Sequence, residues 1–223
     1  MIAVRNSRIL RLILFILILA VLCPFAQGKV IYVDDDATGA NVGSSWMYAV
    51  NSLQDALLLA NFYDKPVEIR VAQGIYTPDN GIGIRPGERE ASFELINKVT
   101  IKGGYAGLGN PDPNARNIEL YETILSGNLG NDDRKNDNSY HVVTGNGTDN
   151  SAILDGFVVT GGRDYRYERD SESIPLYPIG HGAGIYNSAG SPTVNDCTFV
   201  DNHANAGGGG MYNNDNSNSG FII

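Results

Sequence analysis

The chain has 223 residues, with 25 acidic against 16 basic side chains and a formal net charge of −9. That balance works against nucleic acid and anionic membrane surfaces as partners, and it suits solubility or cation binding. Glycine is frequent, at 27 residues, and helix-forming stretches fade after Phe62, so the composition predicts many short strands joined by tight turns.

The N-terminus reads as a targeting segment. Arg5, Arg8 and Arg11 precede an unbroken apolar run from Leu12 to Leu22, and Ala26-Gln27-Gly28 supplies small residues before Lys29. A basic region, a short apolar core and an A-x-G site make a secretory signal peptide, cleaved before Lys29. The run of 11 apolar residues falls short of the ~20 that a spanning helix requires. Cleavage removes three arginines and no acid, which moves the net charge from −9 to −12. It also leaves Cys197 as the only cysteine, so no intrachain disulfide can form, and burial and backbone pairing must hold the exported domain together.

Residues 29–223 are expected to form one domain, with an N-terminal cap over about 29–66. "VIYVDD" (30–35) is strand-like, and its three aspartates read as a solvated turn. Ser52 followed by Asp55 is a capping box that opens a helix over about 52–62, and Pro66 bars its extension. Strand-like runs follow at 67–77, 93–105, 122–128 and 140–146, each ending in glycine or asparagine.

From residue 140 onward the pattern becomes regular. "AILDGFVVTGG" (152–162) aligns with "TVNDCTFVDN" (193–202) at an offset of 40, matching Leu154 with Val194, Phe157 with Cys197 and Val159 with Phe199. In each copy two apolar residues stand three apart around a polar or glycine pair, and the next follows two further on. That spacing describes a strand, a corner and a second strand facing one core. Ile185-Tyr186-Asn187 recurs as Met211-Tyr212-Asn213, 26 residues later. This period suits one turn of a coil, with Asn187 above Asn213 in a buried amide ladder. The longer offset is one such turn plus the insertion at 163–180. An open coil end needs a cover, and the helix near 52–62 supplies it.

These segments resemble secreted bacterial right-handed parallel β-helix proteins of the pectin-lyase-like type. "IYVDDDATGANVGSSWMYAVNSLQDAL", "VEIRVAQGIYTP", "VTIKGGYAG" and "TILSGN" are similar to the start of such proteins, and "LDGFVVTGG" with "GAGIYN" to their repeats. "FVDN" (199–202) with "GGGGMYN" also resembles the repeats of chlamydial polymorphic outer-membrane proteins. The resemblance implies an all-β parallel β-helix and leaves function open, because this scaffold carries lyases, hydrolases and adhesins alike. By its repeat the chain should continue past "GFII", so a truncated C-terminus is expected, and any membrane attachment would lie in the missing region.

Two polar segments exceed what turns require. The first, "NDDRKNDN" (131–138), gathers Asp132, Asp133 and Asp137, oxygen ligands of the kind Ca2+ takes. The second, the insertion 163–180, interleaves Arg163, Arg166, Tyr165, Tyr167 and Tyr177, a mixture suited to sugar rings or to a protein partner. His141, His181 and His203 look scattered, with no acid or cysteine at metal spacing. Cys197 reads as an inert core residue.

The leading expectation is therefore an exported or cell-surface binding and adhesion module for a polysaccharide, cell-surface glycan or protein. Its rivals are a calcium-assisted polysaccharide lyase or a glycoside hydrolase on the same scaffold, and a structural spacer. The lyase requires carboxylates and a base from different turns to converge on one outer face. The sequence instead places acids in loops and Thr, Asn, Ser and Val at most outward strand positions.

Overall fold

The structure, a computed structural model, describes residues 28–130, 136–169, 176–178 and 180–214. The signal segment, Asp132 and Asp133 lie outside them. Among the described residues no helix is long and apolar enough to cross a membrane.

The regular secondary structure of the described chain is mostly strand in parallel sheets, with little helix. Strand β1 (Lys29–Val33) leads to a short 3-10 turn at Trp46–Tyr48 and to helix α1 (Leu53–Phe62). Then come β2 (Val67–Ala72), β3 (Gly74–Tyr76), β4 (Phe93–Glu94), β5 (Val99–Tyr105), β6 (Thr123–Ser126) and β7 (Val143–Thr144). β8 (Ile153–Asp155), β9 (Val158–Thr160), β10 (Arg163–Asp164), β11 (Tyr167–Arg169) and β12 (Leu176–Pro178) follow. The last are β13 (Ile185–Ser188), β14 (Thr193–Asn195), β15 (Thr198–Val200), β16 (His203–Ala204) and β17 (Met211–Asn214).

Three sheets take these strands in rotation. Sheet 1 runs β1-β2-β5-β8-β14, sheet 2 runs β3-β6-β9-β15, and sheet 3 runs β4-β7-β13-β17. All their ladders are parallel. β10 and β16 add a short parallel pair, and β11 and β12 form an antiparallel hairpin inside the predicted insertion.

Register stacks like on like. Ile31, Ile69, Ile101, Leu154 and Val194 are successive partners in sheet 1, and all are buried. Tyr76, Leu125, Val159 and Phe199 make the corresponding row in sheet 2, and Phe93, Val143, Ile185 and Met211 the row in sheet 3. These rows and the buried face of α1 form one apolar cluster. Fully burying each aliphatic side chain is worth about 1.5–3 kcal/mol. The 40-residue matches are in register, with Leu154 on Val194 and Val159 on Phe199. Cys197 packs against the core, where burial pushes its thiol up to about 11 and keeps it protonated.

The corner between β8 and β9 explains the polar or glycine pair. Gly156 sits at φ 82° there, and its counterpart Asp196, 40 residues later, at φ 47°. A left-handed residue is what turns the chain, and Gly or Asp tolerates that conformation best.

α1 begins where the sequence placed it, but the capping box is one-sided. Ser52 Oγ accepts from the main-chain N–H groups of Gln54 (3.1 Å) and Asp55 (3.4 Å), whereas Asp55 Oδ1 accepts from Ile82 N at 2.8 Å. The side chain expected to cap its own helix instead anchors the 81–84 loop over it.

The amide ladder also needs correcting. Asn187 and Asn213 are register partners, and Asn187 Nδ2 donates to Asn213 Oδ1 at 3.2 Å and to the Gly190 carbonyl at 2.8 Å. Asn187 is buried and Asn213 is exposed, β17 being the end strand of sheet 3 among the described residues. Replacing Asn187 by Ala should therefore cost about 1–3 kcal/mol by orphaning the Gly190 carbonyl. Asn213→Ala should cost less than about 0.5 kcal/mol. Urea unfolding of the two variants checks this, and equal losses would contradict the assignment.

Candidate functional site

The insertion leaves sheet 2 through β10, and its second residue is the centre of a polar cluster. Asp164 is 0 % exposed. Arg166 grips its carboxylate with both arms, Nε to Oδ1 at 2.7 Å and NH2 to Oδ2 at 2.8 Å. The main-chain N–H of His181 adds a bond to Oδ2 at 3.1 Å. Burial alone would raise the Asp164 pKa, but the Arg166 hydrogen bonds and charge outweigh it and hold the carboxyl below the usual range. A buried carboxylate so completely paired is a positioning group.

His141 reaches the same point from the preceding passage. Its Nε2 lies 2.9 Å from Arg166 NH2 and its Nδ1 3.0 Å from the Gly182 carbonyl. Guanidinium can only donate and a carbonyl can only accept, so the contacts require a neutral imidazole with its proton on Nδ1. Burial lowers the His141 pKa in agreement with that state.

An aromatic column stands beside these groups. His141 stacks on Tyr186 (4.8 Å between centroids), Tyr186 on Tyr212 (5.9 Å), and Tyr212 on His181 (4.2 Å). Tyr186 and Tyr212 are adjacent because they share an outward register position of sheet 3 with Glu94 and Thr144. Tyr140 lies between the guanidinium groups of Arg89 and Arg166, at 4.3 and 4.6 Å. The column's rings turn their faces to one another. Tyr165, 44 % exposed and packed on His203 at 5.0 Å, offers accessible ring surface at the root of the hairpin.

The predicted site residues separate on this framework. Tyr165 and Arg166 are exposed and adjacent. Tyr167 and Tyr177 lie on the paired strands of the hairpin, and their side chains fall outside the described residues. Arg163 is only 5 % exposed; its NH2 donates to Asp201 Oδ1 at 2.8 Å. It points inward and is removed from any contact surface. Of the proposed calcium ligands only Asp137 is described, with Oδ1 buried and unpartnered. Arg89 links the two polar segments, donating to the carbonyls of Asn138 and Arg163.

Three sequence readings need amending. Among the described residues no histidine joins a possible metal-ligand group, as expected, but His141 and His181 both meet Asp164, one side chain 3.9 Å from Oδ2 and one through its main chain. Their separation of 40 equals the Leu154–Val194 offset, a signal the metal-spacing criterion ignored. Asp34 is buried rather than solvated, its carboxylate accepting from Leu108 N (2.6 Å) and Asp36 N (3.1 Å). Burial nevertheless raises its pKa, and that of Asp35. The three aspartates bring ligand oxygens within 4.8 Å of one another.

Charged side chains are also not confined to loops. On the outer face of sheet 1, Glu68 pairs with Arg70 (2.6 Å) and Lys102 (2.8 Å), and Arg116 pairs with Asp155 (2.6 Å). Arg70, Lys102 and Asp155 occupy one outward register row with Tyr32. Burial opposes ionisation of Glu68, but Lys102 and Arg70 hold its carboxyl below the usual range.

No protein family, curated protein or solved structure is found to match the chain.

The His141 contacts give a pH test. A folded pKa below the ordinary histidine value of about 6.5 means that the unfolded chain takes up the proton first, so stability is lost as pH falls through that value. The wild type should therefore lose more stability than His141→Gln between about pH 7.5 and about pH 5.5. Glutamine can still accept from Arg166 and donate to Gly182. Denaturant midpoints of both proteins across that range read the difference, and parallel curves would refute the neutral-imidazole assignment.

Proposed function

We propose that the protein is an exported right-handed parallel β-helix of the pectin-lyase-like type, released by cleavage before Lys29. In this reading it acts at the cell surface or in the surroundings as a glycan-binding module. Rotation of the chain through three parallel sheets supports the coil, and right-handedness follows the general rule for parallel crossovers. The observation that carries the binding reading is that Arg166 meets the His141–Tyr186–Tyr212 column, drawn from separate passages, while its chain neighbour Tyr165 keeps an exposed ring. Ring surface, guanidinium and hydroxyl edges side by side are the means by which proteins hold sugars, and loops on a rigid scaffold are where such functions sit. The acid at the centre, Asp164, is consumed by Arg166 and main-chain donors, which favours holding over hydrolysis.

A second reading, a polysaccharide lyase, is favoured by the outer face of sheet 1, where acids and bases from different passages do converge. Against it, Glu68 and Asp155 are each matched by cations, and Arg70 is held protonated by Glu68 despite its burial.

Retention of residues 29–223 on a panel of immobilised polysaccharides, with and without a calcium chelator, tests the leading reading. Tyr165→Ala should weaken retention about tenfold, equivalent to about 1.4 kcal/mol, without shifting the unfolding midpoint. Ultraviolet absorbance of unsaturated products growing with time would establish the lyase instead. Retention indifferent to Tyr165→Ala would remove the proposed face.

A further inference from the structure

Beside α1 runs a groove of about 450 Å3, a size at which proteins hold small ligands. One wall is α1 with Leu58, the other the 82–96 segment with Ile82 and Ile84, and the rim carries Glu88, Glu90 and Glu94. Leu58 is 43 % exposed and Ile82 74 %, so the walls offer apolar surface of the kind that the C–H faces of a sugar pack against. Main-chain pairing is closed there. Gln54 Nε2 donates to the carbonyls of Pro78 (2.7 Å) and Ser92 (2.9 Å), which ties α1 to the edge of β4. An occupant must be recognised by side chains.

The groove is one end of a longer tract. Glu94 begins the outward register row of sheet 3, and Thr144, Tyr186 and Tyr212 follow it. With adjacent strands about 4.8 Å apart, Tyr212 stands about 14 Å from Glu94 along the coil. Ser92 Oγ and Thr144 Oγ1, 3.0 Å apart, join β4 to β7 on the same side. Glu90 lies near enough to Arg166 for its charge to favour the protonated guanidinium. Groove, Arg166 and aromatic column are therefore continuous.

Charge distinguishes the two ends. Around the column the ions cancel, Arg166 being matched by Asp164 and Arg163 by Asp201. At the groove they do not. No lysine or arginine is among the described residues that line it, and none of its three glutamates makes an ion pair with a described residue. Glu90 and Glu94 are exposed. Of the neighbouring cations, Arg85 borders a smaller adjoining hollow, and Arg89 lies over Tyr140 and donates to the carbonyls of Asn138 and Arg163. A polyuronate running along this tract would carry its carboxylates past three others, and that repulsion selects against it. A sugar bearing an ammonium group gains where the uronate loses.

Resting on the glycan-binding reading, we propose that the polymer held here is an amino-sugar glycan. Its chain runs along the outward row of sheet 3 into the groove, where its ammonium groups sit against Glu90 and Glu94 and its sugar faces against Leu58 and Ile84.

The probes are the hexamer of β-1,4-linked glucosamine and cellohexaose, titrated calorimetrically into residues 29–223 at mildly acidic pH and low salt. They differ only in carrying an ammonium or a hydroxyl group at the second carbon of each sugar. The glucosamine hexamer should bind at least about tenfold more tightly, equivalent to about 1.4 kcal/mol, and added salt should erase the difference. An oligogalacturonate should bind more weakly than cellohexaose. Glu90→Gln together with Glu94→Gln should cost the glucosamine hexamer its advantage, whereas a merely structural loss would weaken both hexamers alike. The salt dependence of the wild type serves if the double variant misfolds. Equal affinities, or a preference that survives high salt or the two substitutions, would overturn the amino-sugar assignment and leave the glycan-binding reading standing. A glucosamine hexamer that does not bind overturns it as well, and retention on the polysaccharide panel then decides the reading beneath it.

Discussion

Parallel pairing in register is the constraint on which the rest of this structure depends. Each strand of a sheet finds its hydrogen-bond partners in the passage before it and the passage after it, so a one-residue slip would turn every inward side chain to solvent. The inward rows of isoleucine, leucine and valine hold that register from the core side. The outward rows then have no choice of neighbour. Arg70 must stand over Lys102, and Tyr186 over Tyr212, because Ile69 stands over Ile101 and Ile185 over Met211.

The same constraint converts spacing in sequence into chemistry in space. Two cations stacked in one row would repel, and Glu68 in the neighbouring row reaches both. Asp164 is buried at the start of an insertion, where a lone carboxylate would be costly, and Arg166 two residues later supplies a bidentate partner from the same strand exit. His141 accepts from the remaining face of that guanidinium. The insertion is thereby tied to the coil by charge-assisted bonds at its root, leaving Tyr165 and the hairpin to vary in function without loosening the core.

Much of the architecture was legible because apolar periodicity and turn chemistry are local. The 40-residue offset named the Leu154–Val194 and Val159–Phe199 partners, and Ser52 marked the start of α1, with Pro66 four residues past its end. Legibility ended where a side chain's fate is decided by another passage. Asp34 reads as one of three solvated aspartates until Leu108, 74 residues away, is seen to donate to it. Arg163 and Arg166 look equivalent in sequence, yet β10 turns one inward to Asp201 and leaves the other at the surface. The approach of His141 to Asp164 was hidden for the same reason: the two are 23 residues apart, a distance no ligand-spacing rule examines.

The central claim is that residues 40 positions apart are strand partners in register, and engineered cross-linking tests it most directly. Ile153 and Thr193 are outward-facing partners, and adjacent strands lie about 4.8 Å apart, within the separation a disulfide accepts. With Cys197 replaced by Ser, the pair Ile153→Cys and Thr193→Cys should close an intramolecular disulfide under mild oxidation. The slipped pair Ile153→Cys and Asn195→Cys should not. Equal closure of both pairs, or closure of the slipped pair alone, would contradict the account.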